Sequence, residues 1–153
     1  MGKMFIHPVQ EKPSDPVVIT QRFGENPAMY RKYGLAGHNG IDYRTRFWFS
    51  PLGKIYVVAP AGGLVIETGN EGKSGYGIYL RIRHDDGSVS VLGHMTKLYV
   101  AKGRSVKQGQ RVALSGNTGN STGPHVHWGY RPPKPDFGNG YAGYVDQSDL
   151  VKP

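Results

Sequence analysis

Between Ile78 and His94 the chain alternates, turns once and comes back. Ile78-Tyr79-Leu80-Arg81-Ile82-Arg83 places apolar and polar side chains on opposite sides at a period of two, which is the mark of a half-buried antiparallel strand. Asp85-Asp86-Gly87 supplies a hairpin turn, and Ser88-Val89-Ser90-Val91-Leu92-Gly93-His94 returns as its partner. A hairpin of this kind needs further strands to bury its apolar face, and the rest of the chain offers them in short pieces. The 23 glycines and 11 prolines interrupt every helical period, while the apolar residues sit in patterned runs. Strands are expected over Val17–Phe23, Ile55–Ala59, Gly63–Thr68, the end of Val106–Leu114, and His125–Tyr130. Asn26 to Gly34 reads as a loop or short helix, and Thr96 to Val100 as a helical turn. The fold class is mainly β: an antiparallel sheet folded partly on itself, with long loops forming a groove and little helix. At 153 residues the chain fits one domain, divided into an extended, proline-bearing lead-in at 1–16 and a single folded unit at 17–153.

Ser115 to Trp128 is the stretch that carries chemistry. Its first part is made of turn formers, Gly116-Asn117-Thr118-Gly119-Asn120-Ser121-Thr122-Gly123-Pro124, and its second is His125-Val126-His127-Trp128. On a strand the two imidazoles face one side and Val126 and Trp128 the other. Neutral imidazole is a zinc ligand and a general base; the plainer reading is a polar strand face with two incidental histidines. Two further segments hold suitable groups beside glycines. His38 and Asp42 lie four apart in Gly37-His38-Asn39-Gly40-Ile41-Asp42, where the glycines argue against a helix and an extended segment puts both on one side. His94 sits at a strand end. His7 and His84 read as ordinary surface residues. In Arg44 to Gly53, Phe47-Trp48-Phe49 reads as a hydrophobic plug beneath the loop in preference to a groove wall.

There is no cysteine, so a metal has only His, Asp or Glu to bind it. The formal charge of +8 favours anionic partners, yet the basic residues are scattered, densest from Lys97 to Arg111, with no aromatic-basic module of an RNA-binding kind. No apolar run approaches membrane-spanning length, and the first residues lack the apolar core of a signal peptide.

These ordered segments resemble peptidase family M23, the lysostaphin-like or LytM-type peptidoglycan endopeptidases. The His-x-x-x-Asp of 38–42, Leu92-Gly93-His94-Met95, and the closing His125-Val126-His127 after Ser121-Thr122-Gly123-Pro124 stand in the family's order. Gln21-Arg22-Phe23-Gly24 and the Val106–Gln110 turn are similar as well, so the likeness spans about residues 17 to 130. Two departures stand out: Leu92 occupies a position where the family usually has an aromatic, and the 44–53 loop is longer than a minimal one. Both bear on substrate preference. The resemblance implies one zinc per chain held by His38, Asp42 and His127, which leaves a position for water, as catalytic zinc sites do. It implies that His94 and His125 orient or deprotonate that water and stabilise the oxyanion or protonate the leaving amine, with the division between them open. The implied function is a zinc metalloendopeptidase, a peptidoglycan hydrolase cutting cross-links or stem peptides, working as a monomer at the bacterial cell wall without nucleic acid or membrane insertion. A short chain without a visible signal peptide suggests a phage lysin, a virion-associated enzyme or an excised domain. The rival within the family is a catalytically silent LytM-like binding or activator domain, whose members typically lack metal ligands. A lipoyl- or biotinyl-type carrier would need a lysine at a hairpin tip between apolar neighbours, which the chain lacks.

Overall fold

The computed structural model describes residues 4–152. Nine strands form one antiparallel sheet: β1 (Ile19–Gln21), β2 (Ile41–Arg44), β3 (Tyr56–Val58), β4 (Gly63–Asn70), β5 (Ile78–His84), β6 (Val89–Leu98), β7 (Ser105–Val106), β8 (Arg111–Ser115) and β9 (His125–Arg131). Their order is β1-β2-β9-β6-β5-β4-β7, with β8 on the far half of β6 and β3 beyond β8. Among the described residues, helix is confined to α1 (Pro27–Tyr30) and single 3-10 turns at Arg31–Tyr33 and Ser148–Leu150.

The hairpin of β5 and β6 is the centre of this sheet, as its alternation predicts. Leu80 and Ile82 face the core and are fully buried, joined by Leu92, Val65 and Val106. The apolar members of β2 and β9 (Ile41, Tyr43, Val126 and Trp128) point to the same core. Phe5 and Val9, from the proline-bearing lead-in, are also buried in it. Phe5 packs edge-on to His84 at 5.1 Å and to Tyr130 at 5.4 Å, and bridges Val151 in parallel.

The element that shapes the site is a change of partner halfway along β6. Val89 to Gly93 pair with β9, whereas Met95 to Leu98 pair with β8. His94 stands at the handover. Against β5 the register runs Leu80↔Leu92 and then Ile78↔Met95, so β6 carries one extra residue there, a β-bulge. Its signature is the positive φ of His94, 69°, in a region few residues other than glycine adopt. The His94 amide is still satisfied, donating to the Tyr76 carbonyl at 2.7 Å. β8 and β9 thus run along the two halves of β6, and the turn that joins them, 116–124, is closed at its base by a bridge between Gly116 and His125 and lines one side of a cleft with Asn120 to Pro124.

Four expectations need correction. Thr96 to Leu98 continue β6, because β8 supplies hydrogen-bonding partners that make an extended path better than a helical turn. His84 is buried at 2% exposure, with Nδ1 2.9 Å from the Gly62 carbonyl and Nε2 2.8 Å from Ser90 Oγ. His7 is partly buried and meets the Tyr43 hydroxyl at 2.8 Å through Nδ1. The His7 partner and the Gly62 carbonyl both arrive from elements distant in sequence. The aromatic plug is also overturned: Trp48 is 91% exposed and Phe49 and Leu52 are exposed as well, because a tight Phe47–Ser50 turn points the tip outward.

Candidate metal centre

β2 and β9 lie side by side with Asp42 directly opposite His127 and Arg44 opposite His125. Cross-strand neighbours have Cβ atoms about 5 Å apart, so the pairing alone brings a carboxylate to an imidazole. Alternation then puts His125 on the same face as His127, two residues nearer the strand start. His38 arrives from the loop before β2. That loop is held by the Gly24 amide donating to the His38 carbonyl at 2.7 Å and by the His38 amide donating to the Glu25 carbonyl at 2.9 Å.

The result is a tight triangle. His38 Nε2 lies 3.2 Å from His127 Nδ1 and 3.2 Å from Asp42 Oδ1, and His127 Nδ1 lies 3.0 Å from the same oxygen. All three residues are buried. Four-coordinate zinc with ligands at about 2.0–2.1 Å sets neighbouring ligand atoms roughly 3.3 Å apart, so these edges are those of one face of such a site. The proton count agrees. His38 Nδ1 is 3.1 Å from the Arg22 carbonyl, which only accepts, so that nitrogen carries the ring proton and Nε2 presents a lone pair. Three acceptor-type atoms therefore converge with at most one proton between them, on His127 Nδ1. His127 Nε2 is buried with no hydrogen-bond partner among the described residues. Such a set is costly to bury without a cation and well suited to one.

Electrostatics point the same way. Burial alone would raise the Asp42 carboxyl, but the hydrogen bond from His127 and the imidazoles of His127 and His38 beside it outweigh that and hold the group well below the usual carboxylate range. Burial pushes the His127 imidazole down despite the pull of Asp42. An ionised carboxylate and a neutral imidazole are the forms in which these residues ligate a metal.

His94 and His125 stand beside the triangle. Their rings are 4.5 Å apart, and His125 Nε2 is 3.6 Å from Asp42 Oδ2, the oxygen turned away from the triangle. His94 Nδ1 donates to the Thr118 carbonyl at 2.7 Å and His125 Nδ1 to the Gly123 carbonyl at 2.8 Å. Both carbonyls belong to the 116–124 turn, so the turn fixes the tautomer of both histidines and leaves each Nε2 as the free nitrogen. Burial, then the nearby His125 and His127, push His94 down to about 4. It is therefore neutral at pH 7 and able to take a proton.

The five side chains line a cleft of about 580 Å³. Tyr30 and Tyr33 form one wall, Asn120 to Pro124 the other, and Gly75 and Tyr76 a third side. Asn120 Nδ2 donates to the Tyr33 hydroxyl at 2.6 Å across one end. Glycine has two specific uses here. Gly77 and Gly119 back onto each other so closely that a Cβ on either would fall 2.4 Å or less from the other's backbone. Gly40 leaves room for the His127 ring. Every site residue expected from the sequence (His38, Asp42, His94, His125 and His127) is in this cluster. Tyr76 was missed: its ring lies 5.4 Å from that of His127, and burial raises its hydroxyl so that it stays a phenol. The only sequence signal was an aromatic flanked by glycines, Gly75-Tyr76-Gly77.

The chain is 42% identical over 91 residues to an uncharacterised metalloprotease of Haemophilus influenzae, a match covering 60% of this chain and 18% of that protein. It is 38% identical over 94 residues to the peptidoglycan DD-endopeptidase ShyA of Vibrio cholerae, covering 61% and 20%. The matched region thus spans about a fifth of the length of these relatives. Among solved structures, the catalytic domain of the prophage-encoded M23 protein EnpA from Enterococcus faecalis, in a point-mutant form, superposes with a TM-score of 0.68 at 28% identity, covering 93% of this chain and 94% of that one. The catalytic domain of lysostaphin from Staphylococcus simulans shares the fold, with a TM-score of 0.69 at 24% identity over 87% and 90% of the two chains. The sequence model of peptidase family M23 matches residues 36–140, a span that takes in all five clustered side chains. The chain belongs to peptidase family M23.

Proposed function

We propose that this chain is a zinc-dependent endopeptidase that hydrolyses peptide bonds of bacterial peptidoglycan, in its cross-links or stem peptides. The observation that carries the reading is the buried triangle of His38, Asp42 and His127, with edges of 3.0 to 3.2 Å, beside two histidines whose Nε2 atoms are free. The peptidoglycan-cleaving names of the relatives support the substrate class. A silent binding domain would have no use for five converging polar groups buried at this cost.

In this reading His38 Nε2, Asp42 Oδ1 and His127 Nδ1 hold the ion. Zinc held there supplies a Lewis acid and a water of lowered pKa, about 7 in comparable sites. The remaining steps belong to the chain. The Thr118 and Gly123 carbonyls keep His94 and His125 in the tautomer that offers Nε2. One of the two accepts a proton as the water oxygen bonds to the scissile carbonyl carbon. The other, once its Nε2 has taken up a proton from solvent, hydrogen-bonds the carbonyl oxygen as its charge grows or delivers that proton to the nitrogen as the C–N bond breaks. Asp42 Oδ2, 3.6 Å from His125 Nε2, favours the form of His125 in which that nitrogen carries a proton. The cleft, walled by tyrosines on one side and a small-residue turn on the other, admits an extended peptide. All five groups come from one chain, so a monomer is the working unit. We place the peptidase unit at 17–153, with 1–16 as a lead-in packed onto it through Phe5 and Val9, and its site of action at the cell wall.

Metal analysis tests the assignment. Purified protein should hold one zinc per chain; His127→Ala should lose both zinc and activity, whereas His94→Ala should keep zinc and lose activity. Equal zinc loss in both variants would refute the division of roles, and a folded wild-type protein that neither contains nor takes up zinc would refute the enzyme reading.

A further inference from the structure

Among the described residues the most exposed apolar feature is the tip of the loop between β2 and β3. Trp48 is 91% exposed, Leu52 72% and Phe49 51%. A soluble surface seldom leaves three such side chains together. Nor is the loop loose. Phe47 and Ser50 exchange backbone hydrogen bonds at 3.1 and 2.9 Å, which leaves Trp48 and Phe49 as the two tip residues. Phe47 stacks on Phe49 at 5.3 Å and 6°, and Trp48 meets Phe49 edge-on at 5.6 Å. Arg44 braces the base, with its guanidinium 5.3 Å from the Phe47 ring and Nε donating to the Arg46 carbonyl at 2.7 Å. Ser50 Oγ donates to the Lys54 carbonyl at 3.0 Å. The tip is held out by its own hydrogen bonds, with nothing of this chain covering it among the described residues.

The chemistry of the flanks decides what fits. From Arg44 to Tyr56 the sequence is Arg-Thr-Arg-Phe-Trp-Phe-Ser-Pro-Leu-Gly-Lys-Ile-Tyr, with three cations and no carboxylate or carboxamide side chain. A sugar-binding aromatic platform needs Asp, Asn, Gln or Glu beside the ring to hold hydroxyls, and this loop has none. Aromatic and aliphatic side chains at a tip, with Arg44, Arg46 and Lys54 exposed behind them, match a bilayer surface: rings at the headgroup level, cations on anionic phosphates. We propose that this loop is a peripheral anchor for anionic lipid bilayers. It is interfacial; no helix among the described residues is long and apolar enough to cross a membrane.

Position gives the anchor a consequence. Gly53, at the base of the loop, is buried against Pro124, where a Cβ would fall 2.3 Å from the proline Cβ. Pro124 belongs to the turn that carries the carbonyl holding His125. Docking through Trp48 and Phe49 therefore brings that rim of the cleft to the bilayer surface and directs it at membrane-proximal material. The anchor itself depends on neither zinc nor catalysis.

The protein carries its own reporter. Of its two tryptophans, Trp128 is fully buried and Trp48 is exposed, so a lipid-induced change in emission reports the loop. Vesicles of phosphatidylcholine with and without phosphatidylglycerol are titrated into the wild-type protein, with soluble glycan fragments as a separate arm. The expected result is a blue shift with the anionic vesicles, quenching by bromolipids, and weakening in high salt. Phe49→Ser with Leu52→Ser keeps the reporter and should weaken partitioning about tenfold or more. Arg46→Gln with Lys54→Gln should weaken it about fivefold per charge removed. Cosedimentation follows Trp48→Ala, whose exposed side chain can be removed without touching the core. No shift with anionic vesicles, unchanged cosedimentation of Trp48→Ala, or a shift produced by glycan fragments and not by vesicles would overturn the proposal.

Discussion

Replacing Gly40 by alanine asks whether His127 must sit where it does. A Cβ at this position would fall 2.6 Å from His127 Cε1, 2.8 Å from its Nε2 and 2.6 Å from the Trp128 carbonyl oxygen. Ordinary contact begins at 3.4 Å, so the ring or the strand must give way by about 0.8 Å. The strand cannot move easily, because Trp128 is fully buried in the core. The ring is the softer partner, yet zinc sites tolerate ligand displacements of only about 0.2 Å. Gly40 is not in the left-handed region, so alanine adds no backbone strain and the effect is steric. Displacing a ligand through a neighbour typically weakens metal affinity about 10- to 100-fold, equivalent to roughly 1.4–2.7 kcal/mol. The assay is zinc competition against a chromogenic chelator, with circular dichroism and Trp emission to verify the fold. A folded Gly40→Ala protein with wild-type zinc affinity would refute the reasoning.

Two further outcomes follow from the same structure. Once stripped of metal, the protein should lose stability as pH falls from about 6.5 to about 4. The unfolded chain takes a proton on His94 in that window while the native state refuses it, which corresponds to about 3 kcal/mol. Asp42, held low, extends the loss to lower pH. Denaturant titration at about pH 7 and about pH 4.5, on either side of most of that window, should show the drop, and His94→Asn should reduce it; a flat profile contradicts it. Ser115→Ala should lower the melting temperature by about 4–8 °C, because Ser115 Oγ donates to the Gly53 carbonyl at 2.8 Å and accepts from the Ile55 amide at 2.9 Å, and both lose a partner in a buried setting, at about 2 kcal/mol. A change within about 1 °C would contradict that, by the same scaling.

Much of the site was legible because it rests on periodicity. His125 and His127 share a face for the same reason that Val126 and Trp128 share the core, and a strand can be read from a few alternating residues. The pairing partner of that strand could not be read: only the fold places Asp42 opposite His127. The bulge at His94 was equally hidden, since no residue pattern announces a histidine at positive φ. His84 was misread because a polar hairpin suggests solvent, whereas its partners, Gly62 and Ser90, belong to neighbouring segments of the sheet. Trp48 and Phe49 were misread in the opposite sense. Hydrophobicity argues for burial, but a two-residue tip points side chains wherever its base is aimed. Phe5 gave no signal at all, since a proline-bearing lead-in has no period to reveal a buried face.

If the His38–Asp42–His127 triangle holds a zinc ion that serves peptide-bond hydrolysis, peptidoglycan itself is the decisive substrate. Purified peptidoglycans of differing cross-link chemistry are digested with and without 1,10-phenanthroline, and the products are read by mass spectrometry. The expected products are peptide fragments that together gain one water at a single type of bond, abolished by the chelator and restored by added zinc. A folded, zinc-loaded protein that releases nothing from any of them, or cleavage that survives removal of the metal, would contradict that assignment.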